Sequence, residues 1–252
     1  MIKFFRNIRQ KLLNEGKTTN YLKYAIGEIV LVVIGILIAL QINNWNQGRI
    51  QFKETKVLLN SLRFDVEEDI KSLQNQINLL SLRRDLADYI LESLDSQKVT
   101  DSNAFILSMS RVGFIFNYSQ TFPTYTEIVS SGKLSYIKSE ALKNALAKYQ
   151  SQVDNNRQIE SSYNLGLKET ERLAIGHLKG MPEATSIVEQ ATSFPQVSFS
   201  LKTIAEDKEF YKSIKHISYQ TSSNINYINN LLITRAERLK DLITDELKNY
   251  GP

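Results

Sequence analysis

The chain has no cysteine. That excludes disulfides, thiolate zinc sites, a thiol nucleophile and a lipidated N-terminal cysteine. It has two histidines, His177 and His216, and neither belongs to an HxxxH or HExxH spacing that would announce a metal site. Proline (4) and glycine (10) are scarce for 252 residues, so few turns are encoded and a few long helices fit best. No Walker loop, GxGxxG or GxSxG is present. No catalytic, cofactor-binding or metal-binding residue is therefore assigned, and the chain reads as a non-enzyme.

A strong charge of one sign is also missing from most of the chain. The formal net charge is +4. Residues 1–23 carry Lys3, Arg6, Arg9, Lys11, Lys17 and Lys23 against Glu15 alone. The rest is nearly balanced, which leaves no electrostatic footprint for nucleic acid.

What the chain does have is one long apolar run. Ile29–Leu40 reads IVLVVIGILIAL, and the stretch Tyr24–Ile42 is interrupted only by Glu28 and Gln41. As a helix that stretch is about 28 Å long, close to the hydrocarbon thickness of a bilayer. Tyr21, Tyr24 and Trp45 sit where aromatic rings suit the headgroup level. The small-residue pattern of a signal-peptidase site is absent, because Leu37 stands two places before Ala39. The basic residues ahead of the run predict a cytoplasmic N-terminus, although Arg49, Lys53 and Lys56 follow it. Ile2, Phe5, Ile8 and Leu12 recur at helical spacing and predict an amphipathic surface helix over 2–15. The expected organisation is a basic cytoplasmic helix at 1–20, a transmembrane helix at 21–45 and an extracytoplasmic domain at 46–252.

Within the span, Gly35 and Ala39 fall within roughly 20° of Glu28 on a helical wheel. Small residues permit close helix approach, and a carboxyl group near the bilayer favours a protein contact. Glu28, Gly35 and Ala39 thus form a candidate contact face. The alternative is a Glu28 that reaches the interface or pairs with Lys23.

Beyond the span the pattern is all-α. Leu59, Leu62, Val66, Ile70, Leu73, Ile77 and Leu80 step by three and four, and Leu79, Leu82, Leu86 and Ile90 continue on a drifting stripe. Arg49–Gln97 has no Pro or Gly and predicts one long helix, continuous with the span or separate from it. A short helix is expected over Asn103–Phe116 behind an Asp101 or Ser102 cap. Pro123 and Gly132 bracket another turn or two. Long helices follow over about Ser139–Leu178 and Asp207–Asn249, the latter with Ile228, Leu232, Arg235, Leu239 and Leu242 on one face. The expectation is an elongated bundle of three long helices and one or more short ones, packing like a coiled coil.

Three further groups invite chemistry. Asp65, Glu68 and Asp69 share a face and suggest a divalent-cation site, or a solvated face paired with Arg63 and Lys71. Arg83 and Arg84 read as ordinary helix surface. Phe114, Phe116, Tyr118, Phe122, Tyr125 and Tyr136 lie close in sequence and are candidates for a small-molecule pocket, or for closing a bundle end.

Residues 1–45 (MIKFFRNIRQKLLNEGKTTNYLKYAIGEIVLVVIGILIALQINNW) and the segment TYTEIVSSGKLSYIKSEALKNALAKY resemble a family of single-pass membrane proteins of unknown function, widespread in Bacteroidota. Gly27, Glu28, Gly35 and Trp45 match positions of that pattern. The resemblance implies a bacterial inner-membrane protein with a periplasmic domain, and it implies no activity. The expected partners are the lipid bilayer and either a second copy or an envelope protein. The two functional expectations are a non-enzymatic interaction or scaffold protein, and a periplasmic ligand-sensing module that acts through a separate output protein.

Overall fold

The computed structural model describes residues 18–115, 122–181, 194 and 196–251, with side chains from residue 22 onward except Tyr24. The amphipathic helix expected at 2–15 lies outside the described residues, as do the side chains of Tyr21 and Tyr24. The chain divides into two compact units at Lys56 and Val57. Among the described residues there is no strand, and the fold is all-α.

Helix α1 spans Thr18–Asp95 without a break. Among the described residues it is the one helix long and apolar enough to cross a membrane, and none of its most apolar window, which lies in the first unit, is buried. Ile29 is 63% exposed and Leu31 67%. A core helix of a soluble protein would be covered on that run, so its exposure argues against that origin of the composition. Trp45 is exposed, with the Arg49 guanidinium 5.7 Å from its ring centroid.

The second unit holds the remaining elements. α1 ends in a Schellman arrangement: Lys98 N donates to the Ser93 carbonyl (3.1 Å) and Gln97 N to that of Leu94 (3.3 Å). Gln97 takes the left-handed φ of 51° that this closure demands. Asp101 then caps α2 (Ser102–Arg111), accepting from Asn103 N and Ala104 N. The short helix stops well before Phe116. Gly113 lies just beyond its end. A Cβ at Gly113 would lie 2.5 Å from Glu171 Cβ and 2.8 Å from the Leu167 carbonyl oxygen, so the chain presses against another helix. α3 (Pro123–Ser130) begins on its proline and ends before Gly132, at φ 71°, which leads into a 3₁₀ turn over Lys133–Tyr136. Ser139 caps α4 (Glu140–Gly176). An isolated antiparallel bridge joins Lys179 and Ser198. α5 (Leu201–Glu206) leads into α6 (Lys208–Tyr227), capped by Asp207. A π-helical stretch, Ile228–Ile233, passes without a stop into α7 (Thr234–Lys248).

Side-chain pairs fix the directions. Asp69, Gln76 and Arg83 of α1 meet Tyr149, Glu160 and Tyr163 of α4 in that order, so α1 and α4 run parallel. Asp88 and Asp95 accept from Ser218 and Tyr211, so α6 runs antiparallel to α1. His177 pairs with Asp207 at one end of α4, and Glu246 accepts from Lys138 N at the other. Parallel neighbours require a return crossing. Phe114 is held at Arg83 and Thr124 at Asp65, positions about 27 Å apart along α1.

Burial along the long helices repeats every seven residues. On α1 it falls at Leu59, Leu62, Val66, Asp69, Leu73, Gln76, Leu80, Arg83, Ala87, Ile90 and Leu94. On α4 it falls at Leu142, Leu146, Tyr149, Val153 and Asn156, then at Leu167, Thr170 and Ala174. The expected stripe on α1 needs one adjustment: Asp69 and Gln76 take the inward positions, beside Ile70 and Ile77. Leu79 and Leu82 are 40% and 51% exposed. The expected face of the third helix also shifts. Ala236 and Ile243 are buried in place of Arg235 and Leu242, because the π stretch inserts one residue.

Among the described residues the apolar core has two large parts. One gathers Leu59, Leu62 and Val66 with Leu142, Leu146, Leu239 and Ile243. The other gathers Ala87 and Ile90 with Phe105, Met109, Leu167, Phe210 and Ile214. A small third cluster, Leu73, Leu80, Ile228, Leu232 and Ile233, sits at the π stretch.

Candidate functional site

The polar residues at inward positions mark the site. A seven-residue seam buries whatever stands on it, and a polar group placed there loses water. Asp69, Gln76 and Arg83 occupy three successive repeats of one such position on α1, and Tyr149, Asn156 and Tyr163 do so on α4. The Tyr149 hydroxyl donates to the Asp69 carboxylate. Gln76 Nε2 donates to Glu160. The Arg83 guanidinium donates to the Phe114 carbonyl and lies 5.5 Å from the Tyr163 ring centroid. The Tyr163 hydroxyl bonds the Thr221 hydroxyl and donates to the Ile217 carbonyl at 3.4 Å. Together these residues form a polar waist through the bundle.

Not all of it is satisfied. Asn156 is 1% exposed, Gln76 6% and Asn224 9%. Among the described residues, both amide atoms of Asn156, Gln76 Oε1 and Asn224 Oδ1 are buried with no hydrogen-bond partner. Glu160 feels the same lack of water. Burial pushes its carboxyl up to about 7, while the positive Arg83 pulls it down. Burial also lowers Arg83 from its ordinary value, with Tyr163 and Glu160 opposing that shift.

Two grooves open near the waist. One, of about 450 Å³, lies between α4 and α6 and is lined by Gln158, Ser162, Tyr163, His216, Gln220 and Asn224 among others. The second, of about 350 Å³, lies between α4 and α7 and carries Lys148, Arg235 and Arg238 beside Tyr149.

The residues singled out from sequence are distributed as follows. Glu28, Gly35 and Ala39 all lie on α1 in the first unit, and a Cβ on Gly35 would meet nothing within 4 Å. Gly35 and Ala39 are exposed and Glu28 is partly covered. The aromatic group is divided. Phe122 stacks on Tyr125 at 5.5 Å in the first large cluster, and Phe114 packs against the second. Tyr136 is in the 3₁₀ turn, where its carbonyl accepts from the Tyr250 hydroxyl. Phe116 and Tyr118 lie outside the described residues. The acidic trio is also divided: Asp65 accepts from Thr124 N, Glu68 pairs with Lys71 at 2.6 Å, and Asp69 is buried against Tyr149. Among the described residues no group of three or more His, Cys, Asp or Glu side chains gathers as a metal site. His177 holds Asp207 at 3.0 Å. His216 lines the neutral groove, a placement no spacing in the sequence announces. Arg83 corrects the surface reading, being 3% exposed.

Fold and site together define an all-helical protein with one helix suited to crossing a membrane and a separate helical unit with a polar waist. Residues 28–165 match a family described as Family of unknown function (DUF6090), and the chain belongs to that family. The matched region contains α1 from Glu28 onward and the part of α4 that faces it across the waist. No curated protein and no solved structure matches the chain.

Proposed function

We propose that the protein is a non-enzymatic interaction protein of a bacterial cell envelope. In this reading α1 holds it in the inner membrane, the basic N-terminal residues are cytoplasmic and the helical unit is periplasmic. The observation that carries the reading is the uncovered apolar stretch of α1, exposed from Ile29 to Leu40. Lipid suits most of that surface. The face with Glu28, Gly35 and Ala39 suits a second helix better, because a glycine lets backbones approach and a carboxyl group avoids lipid. The occupant is a second copy of the chain or the span of an envelope partner. The test is crosslinking of the full chain in membranes, wild type against Glu28→Leu and Gly35→Leu. Both variants insert as the wild type does, and both lose the crosslinked species. Equal crosslinking in all three chains reduces α1 to a tether.

A second reading is favoured by the neutral groove between α4 and α6. There the helical unit senses a small ligand and acts through a separate output protein. A thermal-shift screen of metabolites tests it, and the absence of any hit counts against it.

A further inference from the structure

We infer that the groove between α4 and α6 binds a neutral saccharide of one or two rings. The inference rests on the sensing reading and names the ligand class. Charge is the first argument. No Asp, Glu, Lys or Arg lines this groove, so a charged ligand would enter it without a counter-charge. The neighbouring groove, with Lys148, Arg235 and Arg238, shows what an anion would select instead.

Hydrogen-bonding chemistry is the second argument. Gln158, Gln220 and Asn224 bring primary amides and Ser162 a hydroxyl. An amide presents donors and an acceptor side by side, and so does each hydroxyl of a sugar. Tyr163 and His216 add flat rings, which suit the C–H face of a pyranose. An acyl chain finds little here, since Ile159 is the one aliphatic side chain of the lining.

Asn224 is the one buried side chain of that lining. It is more than nine-tenths buried, it lines the groove, and its Oδ1 has no hydrogen-bond partner among the described residues. That oxygen has no open surface of its own, so a ligand hydroxyl meets it as the amide turns toward the groove, and the hydrogen bond then removes the cost of a buried acceptor left unmade. The volume of about 450 Å³ holds one or two sugar rings and is at the small end of ligand sites. Tyr163 links the groove to the interior, since its hydroxyl meets Thr221 and its ring faces Arg83.

The test uses the full chain in nanodiscs, because maltoside detergents would supply sugar of their own. Glucose, N-acetylglucosamine, cellobiose and di-N-acetylchitobiose are titrated by calorimetry. At least one of them binds saturably. Asn224→Leu weakens it about tenfold, the effect of losing one well-made hydrogen bond. Gln220→Ala, at the partly exposed rim, weakens it less and covers the case in which Asn224→Leu fails to fold. Lys148→Ala, in the other groove, leaves affinity unchanged. The inference is overturned if none of the four sugars saturates, or if binding is indifferent to whichever groove variants fold. A metabolite of another class that binds while all four sugars fail overturns the saccharide assignment and leaves the sensing reading standing. Failure of every compound sinks both.

Discussion

Glu160 shows how the waist couples to pH. Its carboxyl sits at about 7 because burial penalises the charged form more than Arg83 favours it. A carboxyl raised on folding binds its proton more tightly in the folded state. Stability from this group is therefore present at low pH. It is lost as pH rises from the ordinary carboxylate value through about 7, and is level above that. Glu160→Gln keeps the shape and removes the titration. The expected result is a wild-type melting midpoint that falls between pH 5 and pH 8 relative to the variant, with other titrations common to both. Parallel curves for the two proteins would show that Glu160 ionises freely in the folded chain. Little of this was legible beforehand. Ile70 and Ile77 drew the apolar stripe one residue away from Asp69 and Gln76. Arg83 looked like half of an exposed doublet, since charge in a sequence implies solvent unless a partner is known. Its partners, a carbonyl at residue 114 and a ring at residue 163, are remote in the chain.

At the scale of elements, the third long helix keeps a phase that an ideal α-helix would lose. Inward positions run Phe210, Ile214, Ile217, Thr221, Asn224 and Ile228, stepping by four and three. They resume at Leu232, Ala236, Leu239, Ile243, Glu246 and Tyr250. Between Ile228 and Ala236 both steps are four, one residue more than the repeat allows. The π stretch absorbs that residue by widening the turn. The extra residue was present in the sequence, but an unbroken α period carried the predicted face onto Arg235 and Leu242. Deleting the exposed Asn230 restores a strict four-and-three repeat from Phe210 to Tyr250. The chain lacking Asn230 is expected to melt at or above the wild-type midpoint, with α-helical amide signals across 228–236. Deleting Asp241, exposed within regular α7, is the control. It turns Ile243 and Tyr250 off the core, at a cost of about 1.5–3 kcal/mol for each large apolar side chain exposed. Equal damage from the two deletions would mean that the π stretch does not act as the phase correction.

For the whole molecule, composition and periodicity were enough for the all-α class, the apolar helix and the approximate extent of each long helix. Asp101, Ser139 and Asp207 mark starts that the structure uses. Direction was not legible. A stripe of apolar residues says which face packs and not which way the neighbour points, so the parallel pairing of α1 with α4 had no local signal. It follows from remote pairs such as Asp69 with Tyr149 and Asp65 with Thr124. Those pairs, and all three apolar clusters, lie within the second unit. A unit that holds its own core and its own polar contacts folds without its neighbour. A chain beginning at Arg49, which leaves two turns of helix ahead of Leu58, is therefore expected to express without detergent and to remain monodisperse. It should melt in one cooperative transition seen alike by far-ultraviolet and tyrosine signals, since the tyrosines report both large clusters and the waist between them. Aggregation of that chain, or two separate transitions, would show that the second unit depends on residues before Arg49 or that the waist divides it into independently melting halves.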